Sequence, residues 1–127
     1  MATISASWTE SVSLRAAAVL ASAATDTNDI DLDNLTADAV ALMTEVVFGA
    51  SADGNVLVEV FGSVDSGTQD DTEPITAFTI EEANNTTKRK TIVIKDVPYI
   101  AVKITNNDSA DNVTIEQLYA WRNWNST

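Results

Sequence analysis

The sequence predicts an all-β fold: an antiparallel β-sandwich, jelly-roll-like, with about seven to nine short strands and little helix. Three observations carry that prediction. From Ala39 onward the dominant hydrophobic period is two, clusters of Gly, Asn, Asp, Ser and Pro interrupt it at short intervals, and nothing follows the strand-helix-strand rhythm of a parallel sheet. A chain of 127 residues has room for one core, so residues 1–127 read as a single domain.

Ser11 to Ala24 is the ambiguous stretch. Its alanines suit an amphipathic helix, yet Val12 and Leu14 alternate with Ser11, Ser13 and Arg15, and a strand is the preferred reading. Residues 1–25 lack strong turn signals, which suits either an edge strand or an arm that docks on a neighbour by strand addition. Asp29-Ile30-Asp31-Leu32-Asp33 alternates strictly, so Ile30 and Leu32 are expected in the core with the carboxylates in water.

Val40, Leu42, Thr44, Val46 and Phe48 share one side of a long strand. After the turn residues Ser51-Ala52-Asp53-Gly54-Asn55, Val56, Val58 and Val60 alternate with Leu57, Glu59 and Phe61. With Gly54 free to take positive φ, Ala39 to Val64 reads as a β-hairpin, apolar on both faces and therefore central in a sheet or facing a neighbour. Gly62 to Glu73 is a loop, Ile75 to Ile80 a short strand after Pro74, and Glu82 to Lys90 a polar connection. Thr91 to Lys95 and Tyr99 to Thr105 are strands on either side of Asp96-Val97-Pro98. Past the polar turn at Asn106 to Asn112, Val113 to Trp121 is the last strand, and residues 122–127 are left as a C-terminal tail.

Composition narrows the chemistry. Seven basic against nineteen acidic residues give a net charge of -12, which offers no basic surface for nucleic acid or an anionic membrane. No Cys and no His means no thiol nucleophile, no imidazole base and no Cys or His metal site. Carboxylates are abundant, but a glycosidase pair also needs a cleft that raises one pKa, and a small sandwich leaves little room for it. The expectation is a protein that is not an enzyme. Met1 to Trp8 carries neither a basic residue nor a long apolar run, and the absence of Cys suits assembly in a reducing cytoplasm.

Three groups of residues are candidates for binding. Asp65, Asp70, Asp71 and Glu73 concentrate hard oxygen ligands around Gly67, as calcium requires, without the spacing of an EF-hand; the plain alternative is a solvated loop, and no other cofactor is expected. Trp8, Tyr99, Tyr119, Trp121 and Trp124 could form a stacking platform, with Tyr119 and Trp121 equally suited to the core and Trp8 and Trp124 to anchoring a partner. Lys88-Arg89-Lys90 is a basic cluster in an acidic chain, suited either to guarding a hairpin tip or strand edge, or to meeting an acidic patch on another copy or a partner.

Gly54-Asn55-Val56-Leu57-Val58-Glu59-Val60-Phe61-Gly62-Ser63 leads into Asp65-Ser66-Gly67 and Asp71-Thr72-Glu73-Pro74. Val97-Pro98-Tyr99-Ile100-Ala101-Val102 and Asn106-Asn107 follow, and Tyr119-Ala120-Trp121 closes the pattern. Over Ile30 to Trp124 this resembles the small β-sandwich virion proteins of tailed bacteriophages. The resemblance implies a structural role and transfers no catalytic residue. It implies first a capsid decoration protein made in the host cytoplasm, bound to the outer surface of the assembled shell, with the major capsid protein and copies of itself as partners. A tail, neck or fibre component is the second reading, and a carbohydrate-binding jelly roll, with or without calcium, is the third.

Overall fold

The computed structural model describes residues 4–64 and 71–126, and among these it contains nine strands and no helix. In chain order they are β1 (Ile4–Trp8), β2 (Val12–Leu20), β3 (Thr25–Asp31), β4 (Ala39–Val47), β5 (Val56–Ser63), β6 (Thr76–Ile80), β7 (Thr87–Lys95), β8 (Tyr99–Asn106) and β9 (Val113–Ser126). Pairing is antiparallel throughout and nested: β5 with β6, β4 with β7, β3 with β8, β2 with β9. Two further pairings, β4 with β9 and β5 with β8, roll this long double ribbon into two sheets of order β2-β9-β4-β7 and β3-β8-β5-β6. That is the jelly roll.

Strand identity follows from side-chain shape and period. β4, β5 and β8 are rich in Val and Ile, which pack well on a pleated surface and resist helix. Their alternate residues meet between the sheets: Val40, Leu42 and Val46 from β4 and Val113 and Ile115 from β9 face Val56, Val58 and Val60 from β5 and Ile100, Val102 and Ile104 from β8. Each fully buried aliphatic side chain contributes about 1.5–3 kcal/mol relative to exposure. Ile30 and Leu32 are buried and Asp29 and Asp33 exposed, as the alternation requires. Two polar side chains enter this core: Gln117 donates Nε2–H to Thr44 Oγ1 at 2.9 Å, and both residues are fully buried.

Within Ser11 to Ala24, Val12–Leu20 is a strand and residues 21–24 turn into β3. β2 runs along β9 with register shifts near Arg15, and β1 continues the same edge beside the far end of β9. Thr9 links them, its N–H donating to the Trp121 carbonyl and its hydroxyl accepting from the Trp121 N–H, each at 3.0 Å. In this chain β1 and β2 together line the edge of their sheet beside β9.

Three boundaries differ from the sequence reading. Ala39 to Val64 is not a hairpin, because β4 and β5 lie in opposite sheets and the link between them crosses over. A period-two pattern fixes which face is buried but leaves the partner strand open. The crossing link runs beside the β6–β7 link, with Phe48 N–H donating to the Thr86 carbonyl and Asn85 N–H to the Gly49 carbonyl, both at 2.9 Å. Gly54 is needed for close approach and not for a left-handed turn: a Cβ there would lie 2.6 Å from the Asn107 carbonyl carbon and the Asp108 Cα. β7 begins at Thr87, so Lys88, Arg89 and Lys90 sit in a strand paired with β4 and not in a polar connection. Finally, β9 runs on to Ser126, so residues 122–126 are strand and not tail, held by β1.

At one end of the sandwich the β8–β9 turn is a closed hydrogen-bond network. Asp108 is 1% exposed and its carboxylate accepts from the N–H of Asp53 at 2.9 Å, Ala110 at 2.9 Å and Asp111 at 2.7 Å. Those donors hold its pKa down at about 2. Asn106 reaches from the same turn to the carbonyls of Leu20, Ala21 and Asp111.

Candidate functional site

A sandwich leaves two flanks where a sheet edge is not covered by its own chain, and the sequence-predicted partner residues fall at or near them. On one flank β2 lies over β3. Arg15 spans the gap, donating Nε–H to Asp26 Oδ2 at 2.8 Å and an Nη1–H to the Ala18 carbonyl at 2.9 Å. Its side chain is 10% exposed, so a partly buried ion pair bridges β2 and β3 on this flank. Outside it stand the exposed Val12 and Val19 of β2 and the carboxylates of β3.

The opposite flank, between β6 and β7, is open. A groove of about 280 Å³ is lined by Thr79, Ile80, Glu81, Lys88, Arg89 and Lys90. A second, of about 310 Å³, lies where Ile75 and Thr76 face Ile92 to Lys95. Lys90 Nζ sits 5.1 Å from the Phe78 ring centroid, and Arg89 pairs with Glu45 across the outer face while remaining mostly in water. Val93 is 58% exposed beside them. All three basic residues expected from the sequence thus stand together on a sheet edge.

Trp8 lies at the end of β1, about half exposed, with the Arg122 guanidinium carbon 5.5 Å from its ring centroid. Arg122 is fixed by Asp38, donating Nε–H to Oδ1 at 3.2 Å and Nη2–H to Oδ2 at 2.8 Å. The hydrogen bond to Asp38 raises the Arg122 pKa against the opposing effect of burial, with the Asp38 and Asp96 charges adding to the rise. Asn123 donates to the carbonyls of Leu35 and Thr36 and ties the β3–β4 link to the same corner. Asp38 and Arg122 were not legible as partners, since residues 84 positions apart meet only through the β4–β9 register.

The remaining candidates fare differently. Trp124 lies within β9, its backbone opposite Ala6, and its side chain is outside the described residues. Tyr119 and Trp121 pack against the core with ring centroids 5.9 Å apart, and Tyr99 is buried, so these three form no open platform. Of the proposed calcium ligands, Asp65 and Asp70 lie outside the described residues. Asp71 Oδ2 accepts from the Gly62 N–H at 2.9 Å, and Glu73 is exposed. Among the described residues no group of three or more Asp or Glu is placed to hold a metal ion. No described helix is long and apolar enough to cross a membrane.

No protein-family model matches the chain, and no curated protein does. Solved structures do. A chain of infectious bursal disease virus, Gx strain, overlays with a TM-score of 0.53 at 14% identity, over 96% of this chain and 32% of that one. What the two share is the fold. A chain of the T13 particle of the same virus gives a TM-score of 0.47 at 12% identity, over 96% of this chain and 31% of that one. A Bacillus endospore appendage, from a family of disulfide-linked pili, gives 0.43 at 10% identity over 97% and 89%. This chain spans about a third of the length of the viral chains it overlays.

Proposed function

We propose that this chain is a non-enzymatic structural protein of a virus particle, a decoration subunit that sits on the outer surface of an assembled capsid and contacts the major capsid protein and further copies of itself. The observation that carries the reading is the jelly roll itself, the sheet order β2-β9-β4-β7 over β3-β8-β5-β6, an architecture on which capsid domains are built and which a chain of infectious bursal disease virus shares. Two things support it. The chain has neither His nor Cys, so the usual nucleophile and base pairs cannot be assembled. Its carboxylate excess repels nucleic acid and keeps a many-copy surface soluble.

The mechanism is mechanical. A subunit that buries about 800 Å² per partner at a junction binds the assembled shell and not the loose capsid subunits, and so stabilises the shell by mass action. The half-exposed Trp8 ring beside Arg122 offers an aromatic anchor, and the β6–β7 flank offers a charged groove, for such contacts. Quantitative mass spectrometry of particles purified from the source tests the proposal. Copy numbers comparable to the major capsid protein are expected; a handful of copies would move the chain to a neck, tail or fibre, and its absence from particles would overturn a virion role.

A further inference from the structure

The two sheet edges on opposite flanks carry opposite charge, and we infer that they recognise each other between copies: β7 of one copy adds antiparallel to β3 of a second. This names a surface for the self-contact in the proposed function and needs no capsid. β7 is the last strand of its sheet, paired with β4 on one side, and carries four of the seven basic residues, Lys88, Arg89, Lys90 and Lys95, with no carboxylate. β3 is the end strand of the other sheet, paired with β8, and carries Asp29 and Asp31 with no cation of its own, followed by Asp33, while its Asp26 is engaged by Arg15 of β2 in the same copy. The strands are nine and seven residues long, so their exposed rows of N–H and C=O groups can run side by side for nearly their whole length.

Direction follows from where the charges sit. Antiparallel addition places Lys88 to Lys90, at the start of β7, against Asp29, Asp31 and Asp33 at the end of β3. Charge on an edge also guards against unwanted pairing, and here it does so selectively. β3 against β3 and β7 against β7 juxtapose like charges, which opposes a two-fold edge dimer, whereas β7 against β3 is attractive. Guarding alone does not require opposite signs on the two edges. It leaves unexplained why a chain of net charge -12 gathers most of its cations on one edge strand. A contact between different edges is heterologous, so it repeats from copy to copy into a ring or a row.

Sedimentation velocity on the isolated full chain, over a wide concentration range at about 20 mM and about 500 mM NaCl, tests this, because salt screens the edge charges. Concentration-dependent association at low salt that retreats to monomer at high salt is expected. Reversing one edge, with Lys88→Glu and Lys90→Glu, or the other, with Asp29→Lys and Asp31→Lys, should each weaken association at least about tenfold. Mixing the two variants should restore it, since each then presents the complement of the other at both edges. If the reversed β3 does not fold by circular dichroism, Asp29→Asn with Asp31→Asn replaces it and should weaken association to a smaller degree. A wild-type chain that stays monomeric at low salt, variants that associate like wild type, or folded reversal variants that fail to restore association on mixing would each overturn the inference. None of those results touches capsid attachment, which the copy number in purified particles decides separately.

Discussion

Gln117 is a polar residue where the core has room for an apolar one. Its Nε2 is satisfied by Thr44, while Oε1 is, among the described residues, the buried side-chain polar atom with no hydrogen-bond partner. An unmatched buried acceptor costs roughly 1–3 kcal/mol. Thr44→Val alone should therefore destabilise by about 1–3 kcal/mol, because it orphans the amide N–H as well, whereas Thr44→Val with Gln117→Leu should come within about 1 kcal/mol of wild type or exceed it. Urea midpoints of the three proteins check this. Asp108 makes the opposite case, a buried carboxylate with every donor it needs. Its pKa is lowered from 3.8 to about 2 by the N–H groups of Asp53, Ala110 and Asp111, so the ionised form is favoured by folding. The stability it contributes is fully present above about pH 4 and is lost as pH falls from there towards 2. Urea midpoints measured from pH 5 to 2 should fall for the wild type and fall less for Asp108→Asn; parallel curves would show that the turn does not titrate this way.

Much of the strand content was legible, and the reason lies in particular residues. Ile30 and Leu32 between three aspartates state their buried face directly because strand side chains alternate. Partners were not legible. β4 and β5 look like a hairpin because a turn-rich link joins two apolar strands, and only the roll as a whole sends them to opposite sheets. Strand ends were hidden for a related reason: Lys88 to Lys90, and Arg122, Asn123 and Asn125, are polar and lie on an edge or at an end of the sandwich, and polarity reads as loop when the edge is unknown. The basic cluster was visible as a candidate from the sequence, but its use depends on β7 being an outer strand. The Trp8–Arg122–Asp38 corner needed three elements to converge, and only Trp8 announced itself.

At the scale of the molecule, the charge imbalance acts on stability and on association with opposite signs. Nineteen carboxylates face seven cations on a domain of 127 residues, so the folded state carries a self-repulsion that the expanded chain relieves. The described ion pairs recover little of it: Arg15–Asp26, Arg89–Glu45 and Arg122–Asp38 are partly or largely solvated, and such pairs are worth about 0–1 kcal/mol each. Added salt screens both terms, and the repulsive one is larger because it sums over many more carboxylates. The melting temperature of the monomer should therefore rise by a few degrees between about 10 mM and about 200 mM NaCl, since about 1 kcal/mol shifts Tm by roughly 3–6 °C in a domain of this size. Over the same range, association through the β7 and β3 edges should weaken. Calorimetry on dilute protein, at which association is negligible, isolates the first effect. A melting temperature that falls with salt would mean that the ion pairs and the edge charges dominate the field, and that the acidic surface is more evenly dispersed than its net charge implies.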